Sequence, residues 1–334
     1  EDPTAEDNTP IKLRNNKFTQ LFESLTGMYG WPNYGEFDPT PILAPFFLLF
    51  FAMCMGDCGY GILLIIIGLL IAKKKLNIAM FEGLGPIITV LGVGTTVVGF
   101  FLGTFMGIDL YNAEWVPQAL KNVMIKGNVM GYDIQMVLAI CIGVFHICLA
   151  MVVKAICYTK QFGFKENIAT WGWLLLIVGG LIVAILGLTV LPENVFKWAL
   201  ITVGAVSALA IYIFNTPGRN PLINIGAGLW DTYNMATGIL GDVLSYIRLY
   251  ALGLAGGMLG AAFNNLGLMV MGGSVEGATW QWLPFVLILV LGHVLNLAMS
   301  ALGAFVHPLR LSFVEYFKNA GYEGKGTLYQ PFKK

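Results

Sequence analysis

Two apolar stretches near the C-terminal end carry ionisable side chains. The first, Ile239 to Phe263, is 25 residues long, enough to cross a bilayer as a helix, and its only charges are Asp242 and Arg248. A guanidinium cannot escape lipid by deprotonating, and holding it near the bilayer centre costs roughly 2.5 kcal/mol or more on insertion scales. Something must offset that cost. Backbone carbonyls and a neighbouring helix would make Arg248 structural; an acidic group that comes and goes would let the arginine decide when that group is charged. The second stretch, Leu283 to Val306, opens a series in which His293, Asn296, Ser300, Gly303, His307 and Arg310 recur at intervals of three and four. That spacing keeps all six on one helical face for about 25 Å. Such a face is either packing glue between helices or a wet, proton-accessible line across the membrane. Two histidines and an arginine favour the second, because each is costly in lipid. On the first stretch Gly238, Gly241, Ser245, Arg248, Leu252 and Gly256 form a matching stripe. Gly253 with Gly257, and Gly256 with Gly260, are small pairs that permit close helix approach.

The elements that must position these stripes follow from composition. The chain has 334 residues, of which 57% are hydrophobic and 11% charged, and its mean hydropathy is +0.74. It reads as an all-α polytopic membrane protein. With 19 basic and 19 acidic residues it carries no electrostatic footprint for nucleic acid. Its five cysteines lie in or beside apolar runs without a C-x-x-C pair and read as small buried hydrophobes. The acidic, Pro- and Thr-containing opening reads as a linker from a preceding domain, with an interfacial segment up to residue 40.

About eight crossings can be placed between residues 41 and 318, followed by a tail over 319–334. Pro41 to Met55 and Gly61 to Ala72 form a hairpin of two short helices around Gly56-Asp57-Cys58-Gly59-Tyr60. Gly85 to Ile108, Ile134 to Val153, Thr170 to Leu191 and Val195 to Phe214 follow, with a polar loop over Asp109 to Asp133. After N-T-P-G-R-N-P, Leu222 to Ala236 reads as an interfacial helix ahead of the seventh span, and Trp280 and Trp282 mark the interface before the eighth. A cytoplasmic N-terminus puts Lys73 to Lys75, Lys154, Lys160, Lys165 and Arg219 on cytoplasmic loops and Lys318, Lys325, Lys333 and Lys334 on the tail. Only Lys121, Lys126 and Lys197 fall on the other side. That asymmetry predicts an even number of spans with both ends inside. A phosphate-binding G-x-x-x-x-G-K-[ST] is absent, and His146, His293 and His307 are too scattered to argue a metal site.

G-D-V-L-S-Y-I-R-L-Y-A-L-G-L-A (Gly241 to Ala255), A-L-G-A-F-V-H-P-L-R-L-S-F-V-E-Y-F-K (Ala301 to Lys318) and F-F-A-M-C-M-G-D-C-G-Y-G (Phe50 to Gly61) carry a resemblance. From about Asn15 onward the chain resembles the membrane domain of the rotary V-type ATPase stator subunit, called a or I, in its prokaryotic branch. The resemblance implies a subunit that is no enzyme by itself and holds no cofactor beyond the H⁺ or Na⁺ it moves. Its last two helices would be long and tilted, facing a rotating ring of small membrane-embedded subunits. Arg248 and Arg310 match the family's paired arginines, which face the ring carboxylates and make each exchange its ion before passing. Asp57 and His146 match positions near the outer half-channel, with His293, Asn296 and Ser300 beside them. Asn234, Asp242, Ser245 and His307 suit the cytoplasmic half-channel. Peripheral-stalk subunits would bind through a preceding N-terminal domain, and the central stalk and ATPase head would be indirect partners. The location implied is a prokaryotic plasma membrane with both termini cytoplasmic. Ser300, Gly256 and Asn234 stand where eukaryotic relatives carry Glu, His and Glu, with Asn296, His293 or Glu276 as the candidate substitutes. Glu315 either pairs with a nearby base or faces solvent. The competing functional classes are a secondary ion-coupled transporter, which should show an inverted repeat, and a structural membrane scaffold.

Overall fold

The computed structural model describes residues 9–73, 83–129, 131–189, 192–214, 221–272 and 280–329. Lys74, Lys75, Arg219, Glu276, Lys333 and Lys334 lie outside them. Two short helices, α1 (Lys17–Gln20) and α2 (Glu23–Tyr29), lead into α3 (Thr40–Met55). Gly56 ends α3 in the left-handed region, at φ +58°, where glycine carries no Cβ penalty. Asp57 then caps α4 (Cys58–Ala72). Helix α5 (Gly85–Leu102) packs along α4 so closely that a Cβ on Gly99 would sit 2.4 Å from the Cys58 nitrogen.

The expected third span thus stops at Leu102 and not at Ile108. Gly103 turns left-handed, and a two-stranded ribbon, β1 (Thr104–Phe105) with β2 (Ile108–Asp109), reverses the chain through Met106 and Gly107. The polar loop holds α6 (Gln118–Lys121) and a second ribbon, β3 (Asn128–Val129) with β4 (Tyr132–Asp133). Helix α7 (Ile134–Phe162) follows, capped by Asp133. Next, α8 (Ile168–Leu174) joins α9 (Gly180–Thr189) through a π turn, and α10 (Glu193–Tyr212) packs on both. The last helices are α11 (Pro221–Ser245), α12 (Ile247–Val270), α13 (Trp282–Arg310) and α14 (Phe317–Ala320), with a π segment at Leu311–Tyr316 joining the final two.

Among the described residues, six helical stretches are long and apolar enough to cross a membrane, and α3 and α4 are shorter apolar helices. Together they account for the eight apolar runs. The seventh differs from expectation. Helix α11 continues unbroken through the proposed boundary at 236–239, and the interruption falls at Tyr246, inside the expected span. There the Tyr246 amide bonds Val243 O and the Leu249 amide bonds Tyr246 O, both at 3.1 Å and both tighter than α-helical. The cause is tertiary, since Tyr246 is fully buried against Gly143, Phe50 and His146. The cysteine expectation also needs correcting: only Cys54 is buried, and Cys141 is exposed on the outer face of α7.

The core is aromatic, built on Phe22, Phe47, Phe50, Tyr246, Tyr316 and Phe317. The outside is apolar too, with Trp198, Ile201, Leu295, Met299 and Leu302 exposed on membrane-length helices. Lipid, not water, can cover such a surface. Ile11 pairs with Leu328 and Trp31 with Gly326, so both ends of the described chain lie on one side of the bundle. An even number of crossings requires that.

Candidate functional site

The site begins at the α3–α4 turn. Asp57 is 1% exposed, and among the described residues its side chain bonds only to backbone amides. Its Oδ1 accepts from the amides of Gly59 (2.8 Å), Tyr60 (3.2 Å) and Met106 (2.8 Å), and its Oδ2 accepts from Gly107 (2.9 Å). The carboxylate therefore staples the β1–β2 turn to the start of α4, assisted by the Thr104 hydroxyl, which donates to Gly56 O. Gly107 in turn lies against the α12 backbone, where an added Cβ would come within 2.4 Å of the Gly260 carbonyl carbon.

That staple holds Tyr60 and Met106 in place for a chain of side-chain hydrogen bonds. Asn264 Nδ2 donates to Met106 O at 2.8 Å, so its amide oxygen faces His293 Nε2 at 3.0 Å. Nε2 must then be the protonated nitrogen, leaving Nδ1 to accept from the Tyr60 hydroxyl at 2.7 Å. Asn296 Nδ2 donates to Tyr60 Oη at 2.8 Å and to Gly256 O at 2.9 Å. Ser300 Oγ donates to Asn296 Oδ1 at 3.2 Å. Every bond in the series from Ser300 through Asn296, Tyr60, His293 and Asn264 to Met106 points the same way. Within it only the Tyr60 hydroxyl and the His293 imidazole are adjacent groups between which a proton can pass, because the amides of Asn296 and Asn264 on either side only donate and accept fixed hydrogen bonds.

Beside it lies a cavity of about 340 Å³ between α12 and the α5–α7 loop, lined by Gly56, Gly107, Asp109, Lys126, Asp133 and Tyr250. Lys126 pairs with Asp109, and the Tyr250 hydroxyl donates to Asp133 Oδ2 at 3.2 Å.

Arg248 lies two residues past the interruption at Tyr246, half-buried, and its Nη1 is buried with no hydrogen-bond partner among the described residues. Arg310 ends α13 and is exposed. His307 lies three residues before Arg310 at the end of α13, and its Nδ1 is likewise buried without a partner among the described residues. Below them Asp242 accepts from Asn319 Nδ2 at 2.7 Å and lies 3.6 Å from Lys318 Nζ. Ser245 Oγ donates to Gly241 O at 3.1 Å, and Asn234 is exposed on α11.

The residues grouped as outer separate into two sets. Asp57, His293, Asn296 and Ser300 come together. His146 does not join them: it is 1% exposed, its Nδ1 is 2.8 Å from the Tyr246 hydroxyl, and its ring stacks on Tyr316 at 4.5 Å.

The family model described as the V-type ATPase 116kDa subunit family matches residues 2–116 and 232–334. The chain belongs to that family. It is 34% identical to the A-type ATP synthase subunit I of Methanocaldococcus jannaschii, over 98% of this chain and 49% of that protein. The corresponding subunit of Pyrococcus abyssi is 33% identical over 99% and 49%. The V-type ATP synthase subunit I of Borreliella burgdorferi is 29% identical over 100% and 55%. The chain spans about half the length of these curated relatives.

The two matched segments contain both arginines and every member of the hydrogen-bond chain, whereas His146 falls between them. Sequence reasoning missed Asn264 and Tyr60 as members of the site. Asn264 had a signal, since it continues the α12 stripe through Gly256 and Gly260 at intervals of four. Tyr60 had only its place beside Asp57.

Proposed function

We propose that this chain is the membrane part of the stator subunit of a prokaryotic rotary A/V-type ATPase, exchanging H⁺ or Na⁺ with the carboxylates of a rotating ring. The relatives are named as subunits I of A-type and V-type ATP synthases. Within such a complex this chain turns over no nucleotide; it supplies the path for the ion. The observation that carries the reading is the unpartnered, buried Nη1 of Arg248 in a stripe that runs on either side through Ser245 and Leu252 to Gly241 and Gly256. A carboxylate brought to that cation is held ionised and gives up its ion, and it must be neutralised again before it turns into lipid. Arg310 and His307 lie three residues apart at the end of α13.

On this reading the series from His293 to Ser300 forms the outer path, with Asp57 holding its geometry. Asn234, Asp242, Ser245 and His307 form the cytoplasmic path. The exposed apolar side chains between the stripes, among them Val294, Leu295, Met299, Leu302 and Val306, suit contact with a ring of helices. The residues preceding this chain in the whole protein would bind the peripheral stalk, and both termini would lie on the cytoplasmic side of the plasma membrane.

The test is ATP-driven ion uptake into vesicles carrying the complete complex. Arg248→Ala should leave the ring copurifying with this subunit and abolish uptake. Normal uptake by that variant would overturn the proposal. Running the assay with and without sodium identifies the ion.

A further inference from the structure

Helix α13 is held on one side only. Val294, Leu295, Met299, Leu302 and Val306 along it are exposed, and Arg310 is its last residue. The chain then turns inward. The π segment Leu311–Tyr316 shifts the helical register by about one residue, so that Val314 is 50% exposed while Ser312, Glu315 and Tyr316 are buried. Glu315, at 3% exposure, neither faces solvent nor forms an ion pair among the described residues. Beyond α14, Gly321 turns the chain at φ +68°, and residues 322–329 run along the N-terminal segment 11–36.

The tail and that segment are joined backbone to backbone at two places. The Ile11 amide donates to Thr327 O at 2.9 Å and the Tyr329 amide to Ile11 O at 2.8 Å, while the Gly326 amide donates to Trp31 O at 2.7 Å. A Cβ on Gly326 would sit 1.9 Å from Pro32 O, and one on Gly30 would sit 2.0 Å from Gly324 O. No side chain fits between the two segments there. The Tyr322 hydroxyl donates to Gly30 O at 2.8 Å, and the Glu323 amide donates to Glu36 Oε1 at 3.2 Å. The Tyr322 ring is buried against Tyr29, Phe37 and Phe317, and Tyr29 also meets Phe313 in the π segment. The N-terminal segment is itself anchored. Asn15 Nδ2 donates to Glu23 Oε1 at 2.9 Å and to Asp38 Oδ2 at 2.8 Å, and the hydroxyls of Thr26 and Thr40 pair at 3.0 Å.

We propose that the tail 322–329 is a brace that holds the Arg310 end of α13 against the N-terminal segment while the ring pushes past. The inference rests on the stator reading above. A ring carboxylate driven along the arginines pushes sideways on α12 and α13, and a helix packed on one side tilts unless its end is fixed. The tail closes a second connection from that end to residues 11–36, which on the same reading lead toward the peripheral stalk. Thrust then passes into the N-terminal segment through backbone hydrogen bonds and close glycine contacts, and α13 keeps its tilt. Gly30, Trp31, Tyr322 and Gly326 are thus positioning residues. They act on the ion only through the place they give Arg310.

The test uses the complete complex in vesicles. ATP hydrolysis and ion uptake are followed together, first without a membrane potential and then against an imposed one of about 100 mV. Gly326→Val, which forces the tail away from Pro32, should match wild type without load. Misplacing reacting groups by about 1 Å can cost roughly 100-fold in rate. Under load, uptake per assembled G326V complex should therefore fall below wild type by on the order of 10-fold or more while hydrolysis continues. A tail that only stabilised the fold would lower the number of complexes and leave their response to load unchanged, and that result overturns the brace. A cysteine pair, Ile11→Cys with Leu328→Cys, added to G326V should restore the response when oxidised and lose it on reduction. Equal behaviour in both redox states also overturns the brace. Should G326V fail to assemble with the ring, Tyr322→Ala decides, since it removes the ring and its bond to Gly30 O without a clash, and a wild-type load response there overturns the brace. In each case loss of uptake in Arg248→Ala leaves the stator reading standing, whereas normal uptake in that variant strikes the stator reading itself.

Discussion

Replacing Asp57 by Asn separates a staple from a titrating channel group. The carboxylate makes four bonds to backbone amides, three through Oδ1 and one through Oδ2. Hydrogen bonds to a charged partner contribute about 1.5–3 kcal/mol each, and a buried donor left unpaired costs about 1–3 kcal/mol. An asparagine retains its bonds best with its carbonyl in the Oδ1 position. Its NH₂ then confronts the Gly107 amide at the distance that was a 2.9 Å hydrogen bond. Losing that bond and weakening the other three puts the cost of Asp57→Asn at about 2–4 kcal/mol, a large part of the net stability of a folded domain. Asp57→Ala orphans all four donors and should cost more. Thermal unfolding of the detergent-purified complex should rank wild type above Asn and Asn above Ala. Ion uptake per assembled complex should survive in the Asn variant, because the carboxylate works through a static geometry. An Asn variant as stable as wild type that no longer moved ions would refute this account and make Asp57 a group that exchanges protons.

Two further substitutions test the packing behind the site. A Cβ at Gly143 would lie 2.3 Å from the Tyr246 ring, so Gly143→Ala should destabilise by about 1–3 kcal/mol through overpacking and lower the melting temperature of the complex. Asn296→Ala removes the donor to Tyr60 Oη and Gly256 O and interrupts the hydrogen-bonded series. It should depress ion uptake while the ring still copurifies, and unchanged uptake would count against that path.

The last two helices were legible because buried charge is costly and therefore conspicuous, and because a helical period puts His293, Asn296, Ser300 and His307 on one line whatever surrounds them. The α3–α4 hairpin was legible because Gly56 and Asp57 are strong local signals, a left-handed terminator beside an N-cap. What remained hidden depends on partners distant in sequence. Tyr60 and His293 are 233 positions apart, and nothing in either neighbourhood announces the other. The interruption at Tyr246 carries no proline and arises from the fit of a tyrosine against Gly143 and His146. His146 was grouped with the outer residues through the family resemblance, and nothing in its own helix reveals that its face meets Tyr246 and Tyr316. Glu315 escaped the stripe because a π segment, invisible to a fixed period, shifts the register by about one residue.

The direction of the hydrogen-bonded series limits how an ion could use it. Its final acceptor, Met106 O, is a backbone carbonyl on the turn that Asp57 locks from both of its oxygens. A carbonyl so held has no proton to pass on, and Asn264 can only orient its neighbour. The series therefore has a closed end at Asn264, and its last exchangeable members are His293 and Tyr60. His293 is only partly buried, whereas the Tyr60 side chain is fully covered. On the proposed reading a proton on the outer side reaches this series at the His293 ring, and the amides of Asn264 and Asn296 bound the exchangeable pair on both sides. Asn264, its amide fixed by Met106 O, accepts only from a protonated Nε2 and so holds His293 in the tautomer whose Nδ1 accepts from Tyr60.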